Sequence, residues 1–259
     1  MNLSFGKKTA ALYASLIYLF LYVPIAILMI YSFNQSKLNA VWTGFTLDWY
    51  VKLMHNQEVL EAMYTSLMVA LISTIASTMI GTLAAVGMYR YHFRGKTALD
   101  ALLYLPIVIP EIVMGISLLI LFTQLHVSLG LFTLIAAHIT FSVPFVVVVV
   151  KARLEGFDRS MEEAAMDLGA TPWQTFLKVT LPIIAPGVVA SALLAFTLSI
   201  DDVIISFFVA GPGSATLPLK IFSMVKFGVT PEINALSTLM LLVTLFIVVI
   251  AERMRLKSK

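Results

Sequence analysis

The sequence contains no cysteine among its 259 residues, and charged residues make up only 12% of it. Without cysteine the chain can form no disulfide and offers no thiol nucleophile or thiolate metal ligand. Soluble domains use charged residues at about a quarter of their positions. The low charge, together with 60% hydrophobic residues, therefore excludes an ordinary soluble domain and indicates a membrane protein.

Signatures of enzymes and of metal sites are missing as well. The sequence has four histidines without the spacing of a metal site: His55, His92, His126 and His138. It contains neither a Gly-x-Ser-x-Gly elbow nor a His-Glu-x-x-His pair. Gly95-Lys96-Thr97 resembles the end of a phosphate-binding loop, but Arg90 stands where the first glycine should be. We therefore expect no catalytic residue, no cofactor and no metal, and we interpret His138 as a hydrogen-bonded packing residue.

Long, largely apolar runs divide the chain into six predicted membrane spans. About 20 apolar residues cross a bilayer core. Runs of this kind lie at about 10–33, 62–89, 97–122, 131–150, 183–208 and 232–251. Pro106 and Pro110 interrupt the third run, and Thr230-Pro231 is predicted to cap the sixth. The first run is long enough to span and lacks a small-residue cleavage site, so no cleavable signal peptide is expected. The predicted fold is an all-α integral membrane protein with one domain over 1–259.

The basic residues are divided unequally between the two sides that six spans define. The side with both termini carries 13 of the 17 lysines and arginines: Lys7, Lys8, Arg90, Arg94, Lys96, Lys151, Arg153, Arg159, Lys178, Arg253, Arg255, Lys257 and Lys259. The other side keeps Lys37, Lys52, Lys220 and Lys226. Because cytoplasmic loops are enriched in lysine and arginine, both termini are predicted to be cytoplasmic.

Two connections lie on the opposite, outer side. The connection 34–61 is polar and carries Trp42 and Trp49, aromatic residues typical of membrane interfaces. In the second connection, the segment 217–227 places Leu217, Ile221 and Met224 on one helical face together with Val225. It predicts either an interfacial helix near the mouth of a pathway or a plain connecting helix.

The polar segment 158–182, between the fourth and fifth spans, predicts a cytoplasmic helix–turn–helix. Ser160 and Glu163 have the spacing of a capping box, which starts a helix. Gly169 suits the left-handed position that ends one. Thr171-Pro172 with Gln174 predicts a second capping box and helix start. Leu181-Pro182 is expected to close this element.

Three acidic residues lie at predicted membrane depth. A carboxylate at a helix centre costs roughly 3 kcal/mol or more, so it usually faces a cavity or a partner. Glu111 follows Pro110 about midway along the third span, and Asp201 and Asp202 lie in the outer part of the fifth. Adjacent helical residues point about 100° apart, so the two aspartates are expected to do different work. No lysine or arginine lies within a span to neutralise them. These acids suit a cationic substrate or a proton relay; alternatively, an aspartate caps a broken helix or pairs with Lys220 or Lys226.

Glu163-Ala164-Ala165, followed by Gly169 and Leu181-Pro182, resembles the EAA loop of the inner-membrane permease subunits of ABC importers. The resemblance implies that these six residues form a coupling helix, which docks in a groove of the ATP-hydrolysing subunit. The stretches IPEIVMGISLL, TLSIDDVIISFFVAGP and LPLKIFSMVKFGVTPEIN resemble the second permease subunit of spermidine/putrescine importers.

This resemblance implies a MetI-like permease fold that forms half of a polyamine pathway across the bacterial inner membrane. The implied partners are a related permease, two ATP-binding subunits, a periplasmic polyamine-binding protein and membrane lipid, with no nucleic acid. ATP hydrolysis would belong to a partner, so the chain itself would be no enzyme. Glu111 stands where aspartate is expected in such importers, which leaves the fine substrate preference open. The alternatives are an ion-coupled secondary transporter or channel, and an ABC permease for another solute.

Overall fold

In a computed structural model, which describes residues 3–36, 41–226 and 228–257, the chain is almost entirely helical. The described residues form no β-sheet, and one isolated bridge joins Asn34 to Phe45. Five helices in this part of the chain are long and apolar enough to cross a membrane, and a bent pair supplies a sixth if its halves form one span. The all-α prediction is confirmed.

Twelve helices occur among these residues. They are α1 (Leu3–Tyr31), α2 (Asp48–His55), α3 (Gln57–Arg90), α4 (Lys96–Val108), α5 (Glu111–Gln124), α6 (Leu131–Leu154), α7 (Ser160–Asp167), α8 (Pro172–Thr175), α9 (Leu181–Ile200), α10 (Ile204–Val209), α11 (Leu217–Val225) and α12 (Pro231–Lys257). A π turn, Phe176–Thr180, joins α8 to α9. Lys37, Phe227 and Lys259, which entered the predictions above, lie outside the described residues.

The third predicted span is two helices rather than one. Helices α4 and α5 meet at an angle of 111°. The bend lies at Ile109-Pro110, where Ile109 is extended with φ −70° and ψ 133°. A residue before proline is driven out of the helical region by the proline ring, which explains the break. Pro106 lies inside α4 without ending it. Glu111 begins α5 directly after this break, and its placement midway along a single span stays a prediction.

The fifth predicted span, 183–208, is also broken. Helix α9 ends at Ile200, and α10 begins only at Ile204. The two aspartates lie in this break and not within a continuous helix. At its other end α9 continues directly from α8 through the π turn. Leu181-Pro182 therefore does not close the helical element, and that prediction is wrong.

The remaining spans agree more closely with the helices. Helices α3, α6 and α12 cover the predicted spans 62–89, 131–150 and 232–251, and α1 covers all but the last two residues of 10–33. The Oγ1 of Thr230 accepts a hydrogen bond from the N–H of Ile233 at 3.4 Å, which confirms the predicted cap of the sixth helix. Helix α11 confirms the predicted helix in the second connection as far as Val225.

The chain divides into two compact units, and the predicted single domain stays a prediction. The smaller unit comprises 1–60 and 221–243. Its helix α1 is exposed along residues 10–27, as expected of an apolar helix that meets lipid or another subunit. Trp49 on α2, a helix that the sequence analysis missed, donates its indole N–H to the carbonyl of Asn34 at 2.8 Å. The side-chain oxygen of Asn34 in turn accepts the N–H of Thr43 at 3.0 Å, which fixes the loop after α1.

The larger unit comprises 61–220 and 244–259 and contains the candidate site. Helices α6 and α9 pack against each other, and α3 joins them. A methyl group on Gly81 of α3 would lie 2.6 Å from a methyl of Val146 on α6, so these helices approach closely at the glycine. A second apolar cluster joins α5 to α10 through Leu118, Ile205 and Val209. This packing brings the two broken segments, and hence the three acids, into one region.

Candidate functional site

The break between α9 and α10 is held by the side chain of Asp202. One carboxylate oxygen accepts the N–H of Ile205 at 3.2 Å. The other accepts both the N–H and the hydroxyl of Ser206, each at 2.8 Å. These bonds satisfy donors that the first turn of any helix leaves unpaired. Asp202 is 8% exposed, so its carboxylate is committed to the start of α10, which is the helix-capping alternative considered above.

Asp202 also has a neighbour that can carry positive charge. The Nε2 atom of buried His138, on α6, lies 3.5 Å from a carboxylate oxygen of Asp202 and 3.1 Å from the hydroxyl of Ser206. The Nδ1 atom lies 2.7 Å from the hydroxyl of Ser199, which is 3.0 Å from that of Ser73. The expectation of a hydrogen-bonded packing residue is confirmed for His138. The count of basic residues within the spans covered lysine and arginine only, and it left out His138, which lies beside Asp202.

Asp201 differs from its neighbour in exposure. It follows the last residue of α9 with φ −102° and ψ 0°, and its side chain is exposed while that of Asp202 is buried. The two side chains differ in exposure because of the break in the helix rather than a 100° rotation along a continuous one. The expected division of work between them stays a prediction.

Glu111 lies at the other break. It is the first residue of α5, directly after Pro110, and its side chain is exposed. It lies within electrostatic range of both Asp201 and Asp202. The close approach of α5 to α10 has a visible cause, since a methyl group on Gly115 would lie 2.7 Å from the ring of Phe208. Two helix breaks thus place exposed carboxylates in one region of the larger unit.

The helix pair α7–α8 begins differently from the prediction. The carboxylate of Asp158 accepts the N–H of Ser160 at 3.0 Å. This hydrogen bond, together with one from the hydroxyl of Ser160, lowers the pKa of Asp158. No side-chain hydrogen bond caps α7 at Arg159, so the capping box of Ser160 and Glu163 is wrong. An aspartate two residues before the first helical N–H can form a local turn that replaces the box.

The turn between α7 and α8 follows the sequence rules. Gly169 has φ +89°, as predicted for the residue that ends a helix. The N–H of Ala170 bonds to the carbonyl of Ala165, and the N–H of Gly169 to that of Met166, the two bonds of a Schellman motif. Thr171 and Gln174 form the predicted capping box, with bonds of 3.3 and 3.0 Å.

The π turn explains why Pro182 does not end the helix. The N–H of Leu181 bonds to the carbonyl of Phe176, five residues earlier. A proline ring in a regular helix clashes with the carbonyl four residues before it. The wider turn directly before Pro182 relieves this crowding. The chain therefore runs as one helix from Pro172, at the start of α8, to Ile200.

Polar contacts tie α7 to the end of α3. The carboxylate of Glu162 is buried and accepts hydrogen bonds from Arg90 and from the hydroxyl of Thr180, each at 2.5 Å. Arg159 donates to the carbonyl of Tyr89 at 2.5 Å, and its guanidinium lies 4.6 Å from the centre of the ring of Tyr89. The sequence did not indicate the pair of Glu162 and Arg90, because no local spacing relates residues 72 positions apart.

The outer surface of the helix pair is exposed and partly apolar. Glu163 and Ala164 are exposed, whereas Ala165 is half-buried. Large apolar side chains lie beside them, with Leu168 91% exposed and Trp173 60% exposed. Exposed apolar side chains grouped in this way mark an interaction surface.

Comparisons with known proteins agree with this arrangement. Residues 77–256 match the model of the binding-protein-dependent transport system inner membrane component family. The chain is 49% identical over 247 residues to the spermidine/putrescine transport system permease protein PotC of Escherichia coli strain K12, which covers 95% of this chain and 94% of that protein. It is 46% identical over 229 residues to the putrescine transport system permease protein PotI of the same strain, covering 86% and 82%.

A solved structure shows the same fold. A chain of a bacterial ABC transporter involved in the import of the acidic polysaccharide alginate superposes with a TM-score of 0.75 over 97% of this chain and 96% of that chain. The two sequences are 20% identical, so this likeness concerns the fold alone.

Proposed function

The chain belongs to the family of binding-protein-dependent transport system inner membrane components, and from that membership we propose that it forms half of a polyamine pathway in an ABC importer. It is a multi-pass permease subunit of the inner membrane. Similarity to PotC and PotI over most of the chain supports spermidine and putrescine as substrates. The observation that carries the proposal is the exposure of Glu111 and Asp201 at two neighbouring helix breaks.

Polyamines carry two or more ammonium groups along an aliphatic chain, so spaced carboxylates are their natural counterpart. Glu111 and Asp201 are exposed and stand at the ends of helices that pack together. An ammonium group could leave one carboxylate as it meets the next, and each contact must be weak enough for release. Asp202 contributes negative charge without contacting the substrate, because its oxygens already hold the start of α10. In this arrangement Asp201 and Glu111 contact the substrate, and Asp202 fixes the break between α9 and α10.

The helix pair α7–α8 is proposed to dock on an ATP-binding subunit. The exposed side chains of Glu163, Ala164 and Leu168 provide the contact surface. Gly169 permits the left-handed turn that presents it, and half-buried Ala165 packs beneath. Leu181 and Pro182 connect this surface to the membrane, as part of a continuous helix that passes through the π turn.

The remaining partners follow from the same proposal. A related permease would supply the second half of the pathway, two ATP-binding subunits would hydrolyse ATP, and a periplasmic binding protein would deliver the polyamine. Thirteen of 17 basic residues on the side of the termini support a cytoplasmic location for both termini and for α7–α8. Helix α11 would then lie near the outer mouth, available to the binding protein.

Charge-neutral variants test the substrate assignment. Glu111→Gln and Asp201→Asn keep the shape and hydrogen-bonding capacity of each side chain while removing its charge. Both are expected to lower spermidine and putrescine uptake in cells that carry the whole transporter, with normal amounts of the subunit in the membrane. The matched control is Glu155→Gln, an exposed acid at the end of α6 outside the proposed pathway. Uptake equal to the control in both pathway variants would remove the physical argument for a cationic substrate.

A further inference from the structure

One buried cluster of charged side chains lies between the proposed docking helix and the membrane helices. The carboxylate of Glu162 on α7 accepts a bond from the guanidinium of Arg90, at the end of α3. It also accepts the hydroxyl of Thr180, in the π turn that leads into α9. Arg90 donates to Thr180 as well, at 2.8 Å. Each of the three side chains thus contacts the other two, and each comes from a different helical segment.

This cluster stabilises the contact between the helices only while all three side chains are present. Glu162 is 7% exposed, so its charge lies largely out of water. A buried carboxylate that loses its cation costs far more than an exposed one. In the complete cluster the carboxylate of Glu162 accepts from both Arg90 and Thr180. The next residue, Glu163, is exposed and free to face a partner subunit. Glu162 therefore faces inward and belongs to the permease itself.

A second contact fixes α7 to the same end of α3. Arg159 precedes α7, donates to the carbonyl of Tyr89 and stacks on its ring. The hydroxyl of Tyr89 donates in return to the carbonyl of Phe157, at 3.2 Å. The chain before α7 is thus held by two contacts to Tyr89, the neighbour of Arg90. A displacement of α7 must move the end of α3 with it, unless these contacts break.

We propose that Arg90, Glu162 and Thr180 form a coupling clasp, in which Glu162 is a positioning residue that transmits movement of α7 to α3 and α9. The path to α9 passes through Thr180, and α9 continues from there to Asp201 at the proposed pathway. The clasp rests on the proposed function, since it presupposes that an ATP-binding subunit moves α7. It adds the internal contact by which that movement would reach the membrane helices.

The test measures import and ATP hydrolysis together, in proteoliposomes that contain the complete transporter. Glu162→Gln removes the charge of the acid, and Thr180→Val removes one hydroxyl while leaving the ion pair of Arg90 and Glu162 in place. Both variants are expected to assemble with the ATPase and to hydrolyse ATP. Spermidine imported per ATP hydrolysed should fall about fivefold or more, the lower end of coupling between linked sites. Glu155→Gln should keep the wild-type ratio.

A charge exchange separates coupling from simple folding. Arg90→Glu combined with Glu162→Arg restores a pair of opposite charges, whereas Glu162→Arg alone places two cations together. The exchange should recover most of the import per ATP that the single variant loses. An equal loss in both, or an unchanged ratio in Glu162→Gln, would overturn the clasp. Should Glu162→Gln fail to assemble, an unchanged ratio in Thr180→Val would overturn it equally.

Failure of the clasp differs visibly from failure of the proposed function. If the chain is no polyamine importer subunit, the unaltered complex shows no ATP-dependent spermidine import. If only the clasp is wrong, the unaltered complex imports spermidine, and the variants keep its import per ATP. A weaker association with the ATPase is instead the signature expected of Glu163→Gln, on the docking surface.

Discussion

Replacing Gly169 by alanine tests the turn that presents the docking surface, and its cost can be worked out from the backbone alone. Gly169 has φ +89°, a conformation that alanine adopts only with strain of about 1–2 kcal/mol. A methyl group added there would meet nothing within 4 Å, so no steric clash adds to this strain. The free subunit can relax the turn, whereas docking requires it. The strain should therefore weaken ATPase binding by about 5- to 30-fold.

The assay is the affinity of the purified permease for the ATPase, measured alongside uptake. Gly156→Ala is the matched control, because Gly156 also has open space around it but lacks a positive φ. Gly169→Asn should weaken binding less than Gly169→Ala, since asparagine tolerates the left-handed region better. Wild-type affinity and uptake in Gly169→Ala would refute the argument. An equal effect of Gly156→Ala would show that the turn geometry is not the cause.

Three further predictions follow from single contacts. Asp202→Ala should lower the melting temperature of the detergent-solubilised subunit by about 5 °C, because loss of a helix cap costs up to about 2 kcal/mol; an unchanged value would contradict the capping role. Gly115→Ala should destabilise the contact of α5 with α10 through a 2.7 Å approach to Phe208, and Phe208→Ala should relieve it; equal stability of the Gly115→Ala and wild-type chains would argue against close packing. The carboxylate of Asp158 has a lowered pKa, so its support of α7 should be present at neutral pH and lost as pH falls through that pKa; acid sensitivity unchanged in Asp158→Ala would count against it.

Rules that act within a few residues correctly predicted several helix starts and ends. The positive φ of Gly169, the box of Thr171 and Gln174, and the cap at Thr230 all follow from local hydrogen bonding. The predicted capping box at Ser160 is wrong because a stronger local acceptor, the carboxylate of Asp158, stands two residues earlier. Competition between neighbouring caps depends on backbone geometry that the sequence does not specify.

The helix breaks were predicted only in part. Prolines 106 and 110 both interrupt the third apolar run, and only the backbone shows that the bend lies at Pro110. The break before α10 had no proline or glycine to indicate it. There the carboxylate of Asp202 stabilises a new helix start, a role that the sequence left open as one of several alternatives. Hydrophobicity therefore located the span but not its interruption.

Contacts between distant segments could not be predicted. His138 and Ser206 are 68 positions apart, and Arg90 and Glu162 are 72 apart. Nothing in their spacing indicates that they meet, because helix packing decides it. The family resemblance includes Glu163, which belongs to the Glu-Ala-Ala motif. It gave no indication of Glu162, the buried acid beside it.

The most direct test of the proposed function is spermidine import into proteoliposomes that contain this chain, the related permease and the ATP-binding subunits, with the periplasmic binding protein added outside. Import is predicted to require ATP inside the vesicles and the binding protein outside, and to persist when ion gradients are dissipated. Glu111→Gln and Asp201→Asn should reduce it. Import driven by an ion gradient without ATP, or no import of any polyamine by the complete assembly, would contradict the account.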